Sequence, residues 1–177
     1  MFKKFTSAAL AAAVSVTMLL GAAAGHASAA GLQQCLKTKP VRFDGTIVDA
    51  ALATPALSTL VNLVINAGLV DALNAPGNLT VFAPTDEAFG AIPGSVLDAI
   101  GSDVDILAAV LTYHVIAGKA DPRRAVRPRK VETLQGQNVF LSFDGTAQVN
   151  QSNVSCQGVR TDNGTVWIID SVLLPQF

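Results

Sequence analysis

Apolar residues recur every three or four positions between residues 46 and 113, then cluster in short β-prone runs from residue 131 onward. Thr46 is suited to cap a first helix, with Ile47, Val48, Ala51 and Leu52 on one face. Pro55 fits the first turn of a second helix, whose stripe is Leu57, Leu60, Val61, Val64 and Ile65. Gly68 is placed to end that helix. A helical turn at 70–73 leads to the turn cluster Asn74-Ala75-Pro76-Gly77. Residues 79–83 read as a buried strand stopped by Pro84. Thr85 then caps a helix with Asp86 and Glu87 in its first turn, where acids suit the helix dipole. Pro93-Gly94 breaks the chain before a short helix carrying Val96, Leu97 and Ile100. Asp103 opens the last helix, which carries Ile106, Leu107, Val110 and Leu111 and reaches Tyr113-His114.

After Gly118 the segments 131–134, 139–143, 146–149, 154–159 and 166–169 read as strands. Gly136, Asp144-Gly145 and Asn163-Gly164 separate several of them, and the last two are hairpin signals. Helices first and strands later predict an α+β domain with a mainly antiparallel sheet system.

The N-terminus follows another pattern. Lys3 and Lys4 precede an uncharged apolar stretch over 8–24, and Ala27-Ser28-Ala29 offers a small-x-small cleavage site. Residues 1–29 are therefore expected to be a cleaved signal peptide, 30–42 an irregular lead-in, and 43–175 the folded domain. The apolar stretch is Ala-rich and a little short of the roughly 20 residues a spanning helix needs. Leu32-Gln33-Gln34 before Cys35 fits a lipoprotein signal poorly, so no permanent membrane anchor is expected. Cleavage removes two lysines and no acid, taking the net charge from -1 to -3. Nucleic-acid binding would need the opposite balance.

Three segments carry a family resemblance. Thr80-Val81-Phe82-Ala83-Pro84-Thr85-Asp86-Glu87-Ala88-Phe89 resembles the first signature motif of fasciclin-like domains. Leu111-Thr112-Tyr113-His114-Val115-Ile116-Ala117-Gly118-Lys119 resembles their central Tyr-His motif, and Thr133-Leu134-Gln135-Gly136 their "TLxG" link. The run from Gly164 to Pro175, with Trp167-Ile168-Ile169-Asp170, resembles the second signature. The order and spacing match over almost all of the mature chain. Trp167 departs from the pattern, since many members carry histidine there, which puts any ligand contact by that histidine in doubt. The resemblance implies a wedge-shaped β-sandwich of about seven strands with a packed layer of helices. It also implies an extracellular or surface domain for adhesion through protein or glycan contact.

Export changes how the two cysteines are read. In an oxidising compartment Cys35 and Cys156 are expected to form a disulfide, two free thiols being the alternative. Candidate chemistry is sparse. His114 is the sole histidine beyond the signal segment, so a multi-histidine metal site is excluded. No Gly-x-Ser-x-Gly elbow or phosphate-cradling glycine loop occurs, and no enzyme, cofactor or metal is expected. His114 reads first as a buried histidine locking the helix end, with the Thr85–Asp86 turn as its partner. Through the resemblance, Tyr113 and His114 are also candidate recognition residues, because that region is implicated in receptor binding in animal relatives. Thr85, Asp86 and Asp170 read as capping and corner-fixing residues. Arg123, Arg124, Arg127, Arg129 and Lys130 form a basic run that is a solvated loop or a docking patch for an anionic partner. Asn78, Asn150, Asn153 and Asn163 match glycosylation acceptors. The expected function is a secreted or periplasmic, monomeric adhesion domain for an extracellular protein or polysaccharide. The alternative is a small-ligand or lipid-binding module using a cleft between helices and sheet.

Overall fold

The helix starts follow their caps in the computed structural model, which describes residues 35–176. The expected signal segment, residues 1–29, lies outside the described residues. Helix α1 (Ile47–Leu52) begins with a capping box: Thr46 Oγ1 accepts from the Asp49 N–H, and the Asp49 carboxylate accepts from the Thr46 N–H at 2.9 Å. A 3-10 turn at Pro55–Leu57 runs into α2 (Ser58–Asn66). Gly68, with φ +65°, ends it in the left-handed conformation glycine tolerates. Short α3 (Val70–Asn74), α4 (Asp86–Gly90), α5 (Gly94–Ser102) and α6 (Val104–Tyr113) complete the helical layer.

Among the described residues nine strands form one hydrogen-bonded sheet system. They are β1 (Val41–Arg42), β2 (Leu79–Pro84), β3 (Val115–Ala117), β4 (Arg129–Glu132), β5 (Asn138–Phe143), β6 (Ala147–Val149), β7 (Ser152–Val154), β8 (Val159–Arg160) and β9 (Gly164–Ile169). The strand order runs β1-β8-β9-β7-β6-β5-β4, and β2 joins β9 to β3. Seven strands exceed two residues, in line with the expected number. The other two, β1 and β8, pair with each other in parallel. β1 thus gives residues 41–42, within the lead-in, a place in the sheet.

Two features differ from the sequence expectation. First, β2 and β9 pair in parallel over six residues, from Leu79↔Gly164 to Pro84↔Ile169, within an otherwise mostly antiparallel system. Second, the expected strand over 154–159 is two strands. β7 pairs with β9 at Val154↔Ile169, and β8 pairs with it at Val159↔Val166, so both serve one edge of β9 in succession. Between them the chain leaves the ladder at Cys156, which is bonded to Cys35.

Alternation along the central strands feeds two separate cores. Val81, Ala83 and Val166 face the helices, where they pack with Ile47, Leu57, Leu60, Val64, Leu107 and Val110. Phe82, Trp167 and Ile169 face the other way, onto Val139, Leu141, Val149 and Tyr113 inside the sandwich. Helical periodicity supplies the first core and strand alternation the second. Gly164 permits this closeness, since a Cβ there would sit 2.2 Å from the Leu79 carbonyl oxygen.

Candidate functional site

The Tyr-His segment sits where α6 gives way to β3, at the seam between the two cores. His114 is the C-cap of α6 and only 2% exposed. Its Nδ1 lies 2.8 Å from the Val110 carbonyl oxygen, and its Nε2 lies 2.9 Å from the backbone nitrogen of Leu173. A carbonyl only accepts and an amide N–H only donates, so this network assigns the proton to Nδ1 and leaves Nε2 as an acceptor. The ring is neutral. Burial lowers its pKa from 6.5 to about 4, although the Val110 carbonyl pulls in the other direction. The sequence expectation of a buried locking histidine names the right role and the wrong partner. His114 holds the C-terminal segment at Leu173 rather than the Thr85–Asp86 turn. Both ring nitrogens are committed to backbone groups.

Tyr113 is also buried, at 6% exposure, with its ring in the sandwich core. Its hydroxyl donates to the Asn138 carbonyl and accepts from Asn150 Nδ2, both at 3.2 Å. Tyr113 and His114, the two candidate recognition residues, are thus both buried, and Tyr113 also lines a groove.

The carboxylates of the two signatures fix corners. Thr85 caps α4 by accepting from the Ala88 N–H. Asp86 serves a different helix. It accepts from the Thr59 N–H and the Ser58 hydroxyl, both at 2.8 Å, and so caps α2, whose own N-cap Leu57 has no side chain to do so. The Thr59 N–H, then the Ser58 hydroxyl, hold its pKa below the usual carboxylate value. Asp170 accepts from the backbone and side-chain nitrogens of Asn153 and from the Ser171 hydroxyl. Burial pushes its pKa up, and those hydrogen bonds outweigh it and hold the group below its ordinary value.

The basic run divides. Arg123 is buried, contrary to both readings of it as a solvated or docking residue. Its guanidinium forks onto Asp121, at 2.8 Å and 2.9 Å, and also donates to the carbonyls of Thr38 and Cys156. It lies 4.8 Å from the Trp167 ring centroid, a cation–π distance. Arg123 thus ties the disulfide-bearing segments to the sandwich core. Arg124, Arg127, Arg129 and Lys130 are exposed. Arg129 and Lys130 lie on β4, at the end of the strand order.

Beside β4 an open groove of about 1160 Å³ is lined by Lys130, Asn138, Phe140, Asn150, Gln151 and Gln176, among others. Phe140 is directly opposite Lys130 in the β4–β5 ladder and is 53% exposed. An exposed aromatic face amid amides and a cation offers stacking, hydrogen bonding and charge in one place. Sequence reading found Lys130 and Tyr113 but not Phe140, which looks like one more apolar strand residue until the register shows which face it takes. Asn163 lies in the tight turn of the β8–β9 hairpin, as its Asn-Gly signal predicts, and its side chain is a buried clamp, accepting from the Ile47 N–H and donating to the carbonyls of Leu73 and Ala75. Among the described residues no cluster of three or more His, Cys, Asp or Glu side chains could hold a metal ion.

Comparison with known proteins agrees with this architecture. The fasciclin domain model matches residues 55–175. The chain is 45% identical over 123 residues to the immunogenic protein MPB70 of Mycobacterium bovis, covering 69% of this chain and 61% of that protein. It is 40% identical over 135 residues to the cell surface glycolipoprotein MPB83 of M. bovis, covering 73% and 60%. A protein of Synechocystis sp., sll1735, is 37% identical over 128 residues and is covered over 96% of its length. The chain thus spans about three fifths of the two mycobacterial relatives. Among solved structures, a fasciclin domain pair from the insect cell adhesion molecule fasciclin I shares the fold. The TM-score is 0.50 at 21% identity, covering 67% of this chain and 45% of that one. The motifs, the two-core architecture and the length of the family match lead to one conclusion: this chain belongs to the fasciclin domain family.

Proposed function

We propose that the chain is exported with loss of residues 1–29 and acts outside the cytoplasm as a binding domain for an anionic extracellular polysaccharide. The observation that carries this reading is the exposed pairing of Lys130 with Phe140 at the mouth of the polar groove, with Arg124, Arg127 and Arg129 nearby in sequence and exposed. Sugar rings present apolar faces to aromatics, their hydroxyls bond amides, and their sulfates or carboxylates meet Arg and Lys. The cell-surface relative named above supports an extracellular setting. Among the described residues no helix is long and apolar enough to cross a membrane. A binding role is also favoured over catalysis because the one histidine in the described residues has both nitrogens engaged.

Chondroitin sulfate tests the reading by calorimetry at low and high salt. Binding is expected at low salt, to weaken as salt rises, and to fall at least tenfold in a variant with Arg124, Arg127, Arg129 and Lys130 all changed to Gln. Phe140→Ala is expected to weaken it without changing the salt slope. Binding indifferent to salt and to both variants refutes the proposal.

A further inference from the structure

A second site lies on the other side of the sheet, in the helical core. Helices α1, α2 and α3 do not close fully onto β2 and β9. Between them is a cavity of about 160 Å³, lined by Ile47, Ala51, Val64, Leu73, Val81 and Val166 among others. Its lining is almost wholly apolar, and the two polar side chains that reach it are already satisfied. Thr112 donates back to the Ala108 carbonyl at 2.7 Å, and both His114 nitrogens are bonded to backbone. A water inside would find few partners, and apolar cavities of about 150 Å³ stay dry and take up benzene or xenon. Leu52 and Ile65 also line this space and are 61% and 55% exposed, so the cavity opens to solvent beside α1 and α2. Large apolar side chains at a rim of this kind are costly to leave in water without an occupant.

We infer that this cavity is a binding site for the hydrocarbon end of an amphiphile, a short length of aliphatic chain entering past Leu52 and Ile65. The polar head stays at the surface, because the interior offers it no free donor or acceptor. The site is independent of the basic groove and opposite to it in chemistry. The volume limits the buried part to a segment of about the bulk of benzene, so the rest of a longer chain lies along the exposed rim.

The test uses the protein without residues 1–29 and sodium octanoate below its micellar concentration. Methyl NMR is expected to show saturable shifts confined to lining residues such as Ile47, Val64, Leu73 and Val166. Ala51→Leu, which adds three carbons to the wall, is expected to weaken octanoate binding at least tenfold with a melting temperature unchanged or raised. Val61→Met fills the same space from α2 and serves if Ala51→Leu fails to fold. Shifts that are absent or scattered over the surface overturn the assignment, as does undiminished binding in the folded filling variants. Uptake of benzene without octanoate also overturns the assignment to an aliphatic chain. Loss of chondroitin sulfate binding bears on the groove alone.

Discussion

Lowering the pH from 7 toward 4 asks His114 to take a proton that the folded chain has no place for. Protonation at Nε2 removes the acceptor that holds the Leu173 N–H and puts a charge in the seam between two apolar cores. In the unfolded chain the ring titrates at its ordinary value of 6.5, and in the folded chain at about 4. Between those values the unfolded state binds more protons, so stability falls as the pH falls. It does so by up to about 1.4 kcal/mol per pH unit. Over the whole window the loss is on the order of 3 kcal/mol, a large share of the ~5–15 kcal/mol typical of a domain. Below pH 4 this contribution is flat. The carboxylates act in a lower window. Asp49, Asp86 and Asp170 have depressed pKa values, so what they contribute is present above 3.8 and lost as the pH drops through their folded values. The assay is urea unfolding followed by Trp167 fluorescence between pH 7.5 and 4 on the protein without residues 1–29, where no second histidine titrates. His114→Gln is expected to be less stable at pH 7 and nearly flat between pH 6.5 and 4.5. A wild-type curve that is flat across that range, or a variant that keeps the slope, refutes the reasoning.

Further predictions concern the ties between layers. Reducing Cys35–Cys156, which closes a separation of 121 residues, is expected to lower the denaturation midpoint. Its loss is worth roughly 4–5 kcal/mol on the chain-entropy model, and equal midpoints for the oxidised and reduced forms would contradict it. Arg123→Ala is expected to cost about 2 kcal/mol or more, because it strands the partly buried Asp121 and bares the Trp167 face, while Arg124→Ala stays within about 0.5 kcal/mol. Similar effects from the two substitutions in chemical denaturation would refute the division of the basic run. Gly164→Ala is expected to cost about 3 kcal/mol or to prevent folding, since its methyl meets the Leu79 carbonyl oxygen. A normal midpoint for that variant would overturn the β2–β9 register.

Local chemistry was the legible part of the sequence. Thr46, Thr85 and Asp103 cap helices because their short oxygen-bearing side chains reach N–H groups two or three residues on, and a local rule finds them. The fold class followed from where helical period gave way to strand period, and the family from motif order. Partnerships across long separations were not legible. Asp86 has the look of a first-turn acid of its own helix, yet its oxygens serve Ser58 and Thr59. Arg123 has the look of a member of a basic loop, yet it is drawn inside by Asp121 and two carbonyls. The same limit hid the groove, because the side Phe140 takes is a matter of register. It also hid the apolar cavity, because stripe residues show that helices pack without showing how closely.

The position of β9 sets an order of events for a chain that emerges N-terminus first. The last strand in sequence pairs with β2 on one side and with β7 and β8 on the other, and Leu173 just beyond it receives the His114 lock. Until residues 164–173 arrive, β2 has β3 on one edge and nothing on the other, and both cores stand open along their shared wall. Contacts this distant in sequence also make folding slow. Closure of both cores therefore waits for residues 164–173, so a chain cut ahead of residue 164 loses the shared wall of both cores and the partner of the His114 lock together.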